Sequence, residues 1–335
     1  MRVWGNWGGW RLTGVETNMA PRVLLFALAS LAPLACLAND VDSPAAPQPP
    51  PPANPNVEEV IVAAPEPRYV APTLRDRIGR VWAPVYINGK GPYRLVLDTG
   101  ANRTAIVPSL AKKIGIPSET NVLKVVGATG ASIVPAIKVH SIEVGDLFLG
   151  DRQVAIVPDV FGGAEGVLGA DGLSDKRVNI DFKNDQISIL RSTGPVRGNG
   201  FTRIPVKLRY GHLLMFDVTL AGIRTRAMLD TGAQSTIGNS SLRAALARRK
   251  RQGVENIVIG VTLDAQKGET LLAPAVELGD LTLRGMQVTF GDMYIFEAWK
   301  MTDTPALLIG MDIIGLLDNL IIDYKRRELH LRAPG

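Results

Sequence analysis

Cysteine is almost absent from this sequence, whose 335 residues include only Cys36. No disulfide can therefore form within the chain. The three histidines, His140, His212 and His330, are far apart, and none has a second histidine or a cysteine at the spacing of a metal site. No Gly-x-Ser-x-Gly motif and no phosphate-binding loop occur. The sequence thus predicts no metal site and no cofactor, and it gives the histidines structural roles.

No single sign of charge dominates, because 37 lysines and arginines stand against 32 aspartates and glutamates, for a formal charge of +5. The densest basic run, RRKR at 248–251, has no aromatic residue near it. Such a run is typical of a solvated helix face rather than of a nucleic-acid site. We therefore expect no nucleic-acid partner.

Long apolar runs are missing as well. The apolar stretch over residues 23–38 is interrupted by Pro33, and it is too short for a comfortable membrane span. It follows a short basic segment that begins at Met19, which is the pattern of a signal peptide. We expect a signal peptide over residues 19–38 and no membrane span. Residues 1–18 are then a mispredicted extension upstream of the true start.

Lipidation of Cys36 is an alternative interpretation of the same segment. Ala35 before this cysteine suits a lipoprotein signal, whereas Pro33 stands where leucine is usual. Either signal directs the protein across a bacterial membrane. Together with the missing disulfides, such a signal predicts a periplasmic or secreted bacterial protein.

Residues 39–75 follow the signal and are rich in proline, with the run SPAAPQPPPPANP at 43–55. This composition is typical of an extended linker rather than of a packed element. The segment also precedes the first folded lobe, so an additional role as an inhibitory prosegment stays open.

An internal repeat changes how the motifs are interpreted. LVLDTGANRTAI at 95–106 returns as AMLDTGAQSTIG at 227–238. Three later blocks recur in the same order, pairing 142–154 with 276–288, 166–173 with 307–314, and 178–190 with 320–331. One Asp-x-Gly after a strand is usually a turn or a helix cap. Two that are related by a repeat indicate a joint use of Asp98 and Asp230.

Each copy of the repeat predicts the same lobe, the first over 76–192 and the second over 200–335. The lobe opens with a hairpin, for which Asn88-Gly89 is a strong turn signal in the first copy. The aspartate follows the second strand. A short helix, a glycine-rich hairpin, further strands and an apolar run ending in glycine come next. The predicted fold class is mainly β, with short helices.

These features resemble the aspartic peptidase superfamily, and specifically its retropepsin-like branch of short lobes. The matching residues are the Asp-Thr-Gly-Ala sequences at 98–101 and 230–233, each preceded by an apolar strand. Each is followed by an apolar-apolar-Gly sequence, at 167–169 and 308–310. The resemblance covers roughly residues 80–332. The chain is similar to bacterial exported proteins that carry two such lobes in one chain, whereas the retroviral type carries one lobe and dimerises.

The resemblance implies two β-barrel lobes related by a pseudo-twofold axis, with Asp98 facing Asp230 as a catalytic dyad. The glycine-terminated segments ending at Gly169 and Gly310 would support the two loops from behind. Residues after each aspartate would support the dyad, with the threonine hydroxyls bracing the loops: Thr99, Gly100, Ala101, Thr231, Gly232 and Ala233. Glycine-rich hairpins would close over a peptide substrate as flaps: Gly127, Ala128, Thr129, Gly130, Gly260, Val261 and Thr262.

Two neighbouring carboxylates have a defined chemistry. They cannot both ionise easily, so the pair shares one proton and titrates as a unit. The ionised member takes a proton from a bound water, and the protonated member donates to the peptide carbonyl as the water attacks. This reaction needs no metal and no covalent intermediate. The sequence thus predicts an aspartic endopeptidase.

Ala101 and Ala233 stand where pepsin-like enzymes often have serine or threonine. One missing hydroxyl removes one hydrogen bond to the charged carboxylate and makes the dyad less acidic. We therefore expect activity at mildly acidic to neutral pH. Neither flap has the tyrosine of pepsin-like flaps, and the glycines favour a mobile flap that pairs with an extended peptide through its backbone.

The second lobe carries seven additional residues within 289–309, where Tyr294, Phe296 and Trp299 lie. One hypothesis is that this insertion shapes a substrate subsite or binds a partner. The alternative is a satellite hydrophobic cluster, because aromatic loops are more often packed than functional.

Three functions therefore remain open. An endopeptidase would act as a monomer, with both lobes of one chain forming the site. A non-catalytic relative would bind peptides in the same cleft. A lipid-anchored scaffold would pair its lobes between chains, and its activity would then be lost on dilution.

Overall fold

The computed structural model describes residues 59–61, 65–66, 80–117, 121–184, 186–246, 253–273 and 275–334. The extension and signal peptide predicted over residues 1–38, with Cys36, lie outside these described residues. Most of the predicted linker does as well. One compact unit extends from residue 56 onward and contains both lobes.

Short strands and one helix make up the described chain before residue 192. In chain order these elements are β1 Glu59–Ile61, β2 Pro65–Glu66, β3 Trp82–Ile87, β4 Lys90–Leu97, β5 Ala105–Ile106, α1 Pro108–Ile114, β6 Val122–Val126, β7 Ala131–Val139, β8 Ile142–Val144, β9 Leu147–Leu149, β10 Arg152–Ile156, β11 Gly166–Leu168, β12 Lys176–Asp181 and β13 Gln186–Arg191.

The remaining elements largely repeat this series and add two helices. They are β14 Thr202–Pro205, β15 Lys207–Arg209, β16 Leu213–Leu220, β17 Ile223–Leu229, β18 Ile237–Gly238, α2 Ser240–Leu246, β19 Val254–Gly260, β20 Ala265–Leu272, β21 Ala275–Leu278, β22 Leu281–Arg284, β23 Gln287–Phe290, α3 Tyr294–Ala298, β24 Ala306–Ile309, α4 Met311–Ile314, β25 Asn319–Asp323 and β26 Glu328–Arg332.

Two of the three sheets formed by the described residues have the same strand order. The first runs β1-β6-β7-β10-β5-β11-β4-β3-β8-β9, and the second runs β2-β19-β20-β23-β18-β24-β17-β16-β21-β22, with β15 attached to β16. Every strand of the first sheet thus has a counterpart in the second. The predicted fold class, two mainly β retropepsin-like lobes with short helices, is confirmed.

The opening hairpin of each lobe forms as the turn signals indicate. β3 and β4 are joined at Asn88 and Gly89, whose φ angles of 52° and 70° suit a tight hairpin turn. In β3 the inward residues Ala83, Val85 and Ile87 are fully buried and alternate with more exposed neighbours. One face of the hairpin therefore packs on the lobe core while the other meets solvent.

A third, five-stranded sheet joins the two lobes within the described chain. Its order is β13-β12-β25-β26-β14, and β12 of the first lobe pairs antiparallel with β25 of the second. Arg177 on β12 and Asp323 on β25 stand opposite each other, and two guanidinium nitrogens lie 2.7 and 2.9 Å from one buried carboxylate oxygen. The lobes are therefore connected by backbone and charge contacts within one chain.

Strands β1 and β2 lie within the interval that its composition assigns to a linker. β1 pairs with β6, and β2 pairs with β19. The proline-rich run ends at residue 55, and the more apolar stretch after it, VEEVIVAAPE at 57–66, supplies these strands. Two short parts of the predicted linker interval thus form strands. No helix of the described residues is both long enough and apolar enough to cross a membrane.

Candidate active site

Each aspartate lies at the carboxyl end of a buried strand. Asp98 follows β4, which pairs in parallel with β11, and its N–H donates to the carbonyl of Leu168 at 3.0 Å. Asp230 follows β17, which pairs in parallel with β24, and its N–H donates to the carbonyl of Ile309 at 3.0 Å. Both aspartates are fully buried. The apolar strands thus deliver two acids to the interior of the molecule.

One oxygen of each carboxyl is held by the backbone. The Oδ1 atom of Asp98 accepts hydrogen bonds from the N–H groups of Gly100 and Ala101, both at 2.9 Å. In the second lobe, Oδ1 of Asp230 accepts from the N–H groups two and three residues further on, at 2.9 and 3.1 Å. These paired bonds fix the orientation of both carboxyl groups and favour the ionised form.

The second oxygen of each carboxyl group has no partner. Oδ2 of Asp98 and Oδ2 of Asp230 are buried, and neither accepts or donates a hydrogen bond among the described residues. The two carboxyl groups are nevertheless close enough to influence the pKa of each other. Gly232 packs directly on this pair, because a Cβ atom there would lie 2.4 Å from Cγ of Asp98. A larger residue at position 232 would separate the two acids.

The threonines after the aspartates brace the two loops against each other. The Thr99 hydroxyl donates to the carbonyl of Leu229 at 2.8 Å and accepts from the N–H of Thr231 at 3.1 Å. Reciprocally, the Thr231 hydroxyl donates to the carbonyl of Leu97 at 2.6 Å and accepts from the N–H of Thr99 at 3.2 Å. All four bonds are buried and cross between the lobes. They hold the carboxyl groups at a fixed separation.

Burial and mutual charge shift the two carboxyl groups in the same direction. Burial raises the pKa of Asp98 to about 6, although the backbone donors and the neighbouring Asp230 oppose this rise. Burial, followed by the negative charge of Asp98, raises the pKa of Asp230 well above its usual range. These shifts favour a pair that shares one proton, with Asp98 as the more acidic member.

The glycines that end the apolar runs lie directly behind the loops. The N–H of Gly169, after β11, donates to the hydroxyl of Thr104 at 3.3 Å. The N–H of Gly310, after β24, donates to the hydroxyl of Thr236 at 3.1 Å. Both threonines belong to the segments that follow the aspartates. The structure therefore places the two predicted support glycines in equivalent positions against the two loops.

The first flap is the hairpin β6–β7, and its turn is buried against the second lobe. Gly127 donates to the carbonyl of Gly130 at 2.8 Å to close the turn. Between them, Ala128 is fully buried, and its carbonyl accepts from the N–H of Ile295 in α3 at 3.1 Å. This flap therefore contacts the lobe opposite its own.

The second flap is the hairpin β19–β20, and it meets the first. The N–H of Gly260 donates to the hydroxyl of Thr129 at 2.9 Å. Val261, next in the turn, is buried, whereas the Thr262 hydroxyl only bonds Asp264 within the same turn, at 2.8 Å. Of the predicted flap positions, Thr262 has the weakest link to the site, and the others converge where the two flaps touch.

The aromatic insertion of the second lobe forms α3 and a small hydrophobic cluster. Phe296 and Trp299 are fully buried in it, together with Val126 of the first flap and Ala233 of the loop that follows Asp230. Tyr294 is only partly buried and packs against the same cluster. The buried aromatic side chains favour the satellite-cluster alternative over an open substrate subsite.

Three residues around the dyad are not signalled by any motif. Arg80 is buried, and its positive charge lowers the pKa of Asp98. The register explains its position, because the N–H of Leu97 donates to the carbonyl of residue 81 at 3.1 Å and so aligns residue 80 with Asp98. A β-bulge between Val85 and Ile87 shifts this register by one residue, so the Asn88-Gly89 turn alone does not locate the cation.

His212 and Tyr324 are the other two residues near the aspartates that no motif signals. His212 lies beside the carbonyl of Gly100 in the opposite lobe, and burial lowers the pKa of its ring, whose Nδ1 is 3.0 Å from the carbonyl oxygen of Tyr210. Tyr324 is fully buried after β25, and burial together with the negative charge of Asp98 raises the pKa of its phenol. No sequence signal separates these side chains from ordinary core residues, because their roles depend on contacts between the lobes.

Comparison with known proteins agrees with the internal repeat. A family model described as aspartyl protease matches the chain twice, over residues 83–171 and 216–313. Each match contains one Asp-Thr-Gly-Ala sequence and the glycine-terminated strand behind it. No curated protein matches the chain significantly.

Proposed function

The chain belongs to the aspartyl protease family, in its retropepsin-like branch with two lobes in one chain, and on this premise we propose that it is an active endopeptidase. Asp98 and Asp230 form its catalytic dyad. An extended segment of a protein or peptide is its substrate.

One observation carries the proposal. Two buried carboxyl groups from different lobes influence the pKa of each other, and the Oδ2 atom of each has no hydrogen-bond partner among the described residues. Leaving two such groups unsatisfied in an interior costs stability. An arrangement that is costly for folding and present in both halves of a repeat supports a catalytic use.

The proposed reaction uses each carboxyl in one role. Asp98, ionised at neutral pH, accepts a proton from a water held between the acids, and the oxygen of that water attacks the peptide carbonyl carbon. Asp230 donates its proton to the carbonyl oxygen as negative charge develops there. Collapse of the tetrahedral intermediate breaks the C–N bond as Asp98 passes the proton that it accepted to the nitrogen, and a hydroxyl of the intermediate returns a proton to Asp230. The backbone donors to Oδ1 keep both carboxyl groups oriented throughout.

The two alternatives differ from this proposal in testable ways. A non-catalytic peptide-binding protein would keep the flaps and would not need a shared proton. A scaffold with lobes paired between chains would need the threonine brace to form between molecules, whereas Thr99 and Thr231 pair here within one chain. The internal brace supports a monomer.

We also propose that the enzyme acts in the periplasm or outside a bacterial cell. The support is the signal-like segment at 19–38 and the absence of disulfides, which both come from the sequence. Cleavage of that segment and lipidation at Cys36 are both compatible with this location.

The pKa values of Asp98 and Asp230 are expected to determine how activity depends on pH. Protonation of Asp98 removes the base, so kcat/KM should fall about tenfold per pH unit below pH 6. At high pH, loss of the Asp230 proton removes the acid. The measurement is cleavage of a peptide library between pH 3 and pH 10, followed by kinetics on one cleaved peptide. An optimum below about pH 3 would contradict the proposed dyad.

Substitutions of Arg80 provide a matched pair of variants for testing this pH–activity profile. Arg80→Met removes a positive charge that lowers the pKa of Asp98, so the acidic limb should move to higher pH. Arg80→Lys keeps the charge and should leave the limb close to that of the wild type. Identical acidic limbs in Arg80→Met and the wild type would show that Asp98 is not the group whose ionisation limits activity.

A further inference from the structure

The outer edges of both flaps are paired with the chain's own N-terminal segment. β1 pairs in parallel with β6, with Glu59 opposite Lys124 and Ile61 opposite Val126. β2 pairs antiparallel with β19, with Pro65 opposite Gly260 and Glu66 opposite Ile259. β6 and β19 occupy equivalent positions in the two sheets, next to the edge. One segment thus supplies the edge strand of both lobes.

The directions of these two pairings are informative. Equivalent strands related by a twofold axis run in opposite directions where they approach that axis. A single extended chain that passes both must therefore run parallel to one and antiparallel to the other, as β1 and β2 do. A peptide substrate bound across the two lobes has to satisfy the same condition.

The distance between the two pairings also fits one continuous crossing. Three residues separate Ile61 from Pro65, so their Cα atoms can be at most about 14 Å apart. The flaps themselves are in contact at Thr129 and Gly260, 2.9 Å between hydroxyl oxygen and amide nitrogen. The edges that bind β1 and β2 are therefore close enough for one short segment to span.

The flap surfaces suit an extended apolar peptide. The large apolar side chains exposed on the described surface number eleven, and six of them lie on the flap hairpins: Val122, Ile133, Val254, Ile257, Leu263 and Leu272. These six side chains lie outside the two pairings and stay exposed with the segment in place, so they offer further apolar surface along the flaps. The segment that pairs with β6 and β19 has the sequence VEEVIVAAPE at 57–66. Its backbone register places Glu59 opposite Lys124.

We propose that the segment carrying β1 and β2 binds across both flaps in the manner of a substrate and competes with peptide substrates for the cleft. The flap edges then form a docking surface for extended, apolar chains, and such chains are the proposed substrate class. The competition regulates the same site, so this inference rests on the proposed function. Backbone hydrogen bonds to an exposed edge provide the affinity.

The backbone pattern of the flaps defines which amides report on this docking. Gly127 pairs with Gly130 across the first flap, so by alternation the N–H of Val125 faces β7 and that of Val126 faces β1. In the second flap the N–H of Gly260 donates to the carbonyl of Asp264, so that of Ile259 faces β2.

The test compares Val60→Pro with Val60→Ala in the full chain, both carrying Asp98→Asn to prevent self-cleavage. Proline at residue 60 removes the N–H that faces β6, whereas alanine keeps it. Amide hydrogen exchange at Val126 should be at least about tenfold faster in the proline variant, while Val125 should not change. Equal exchange at Val126 in the two variants would overturn the proposal.

Two further measurements separate docking from catalysis. A synthetic peptide of residues 57–67, added to the proline variant, should restore protection at both Val126 and Ile259; protection at neither would count against a substrate-like site. In the chain with Asp98 intact, Val60→Pro should raise kcat/KM for a library peptide several-fold over Val60→Ala. If neither Val60→Pro nor Val60→Ala with Asp98 intact cleaves any peptide, the proposed function fails. The exchange result still decides whether the segment docks on the flaps.

Discussion

Asp98→Asn and Asp230→Asn are each expected to lower kcat for peptide cleavage by at least about 10³-fold. Asparagine has nearly the shape of aspartate but cannot accept the proton from water or share it with the partner acid. Because the two carboxyl groups act as a unit, the double variant should lose little more than either single variant. The measurement is turnover of one library peptide by the three variants and the wild type.

Two controls show that lost activity reflects chemistry. Asp217→Asn removes an exposed carboxylate that pairs with Arg224 and should leave kcat unchanged. Asp98→Asn should unfold at a higher temperature than the wild type at pH 8. The pKa of Asp98 is raised from 3.8 to about 6 in the folded protein, so its ionisation lowers wild-type stability by on the order of 3 kcal/mol as pH rises through that interval. Residual turnover within tenfold of the wild type in either single variant would exclude the shared dyad.

Thr99→Val is expected to lower the free energy of unfolding by about 2–6 kcal/mol. Valine has the shape of threonine but leaves the carbonyl of Leu229 and the N–H of Thr231 buried without this partner. Each unsatisfied group costs about 1–3 kcal/mol. Activity should fall as well, because the two carboxyl groups are no longer held at a fixed separation. The measurement is urea unfolding together with kcat at 25 °C.

Thr99→Ser is the matched control, because serine keeps the hydroxyl and loses only a methyl group. Thr231→Val should behave like Thr99→Val, since its hydroxyl makes the reciprocal pair of bonds. The double variant should cost less than the two single variants together, because each threonine hydroxyl bonds the backbone of the other. A Thr99→Val protein as stable and active as Thr99→Ser would show that the brace is dispensable.

Much of the fold could be predicted from the sequence because the repeat supplied the same evidence twice. The Asn88-Gly89 turn, the apolar strand before each aspartate and the glycine at the end of each apolar run are local signals with direct physical causes. Each Asp-Thr-Gly motif is weak evidence alone, but because the repeat relates the two motifs, together they predict two equivalent lobes. The matching strand order of the two large sheets is the structural form of that repeat.

The surroundings of the dyad could not be predicted in the same way. Arg80, His212 and Tyr324 come from distant positions in the chain, and their relation to the aspartates exists only once the lobes have packed. A buried arginine beside an acid has no local sequence pattern. Its effect on the pKa of Asp98 depends on burial and distance.

The segment at 59–66 was hidden by its context. A proline-rich neighbourhood indicates a linker, and a strand of two or three residues has no periodicity to detect. Its pairing depends on the exposed edges of β6 and β19, which are more than fifty residues further along the chain. Edge strands with free backbone groups are the places where such additions occur.

The most direct test of the central claim is the cleavage rate of an equimolar mixture of Asp98→Asn and Asp230→Asn proteins. A site built from both lobes of one chain predicts that the mixture is no more active than either variant alone, and that wild-type activity per molecule does not change on dilution. Lobes paired between chains would bring an intact Asp98 together with an intact Asp230. Recovery of activity in the mixture would therefore contradict the intramolecular dyad.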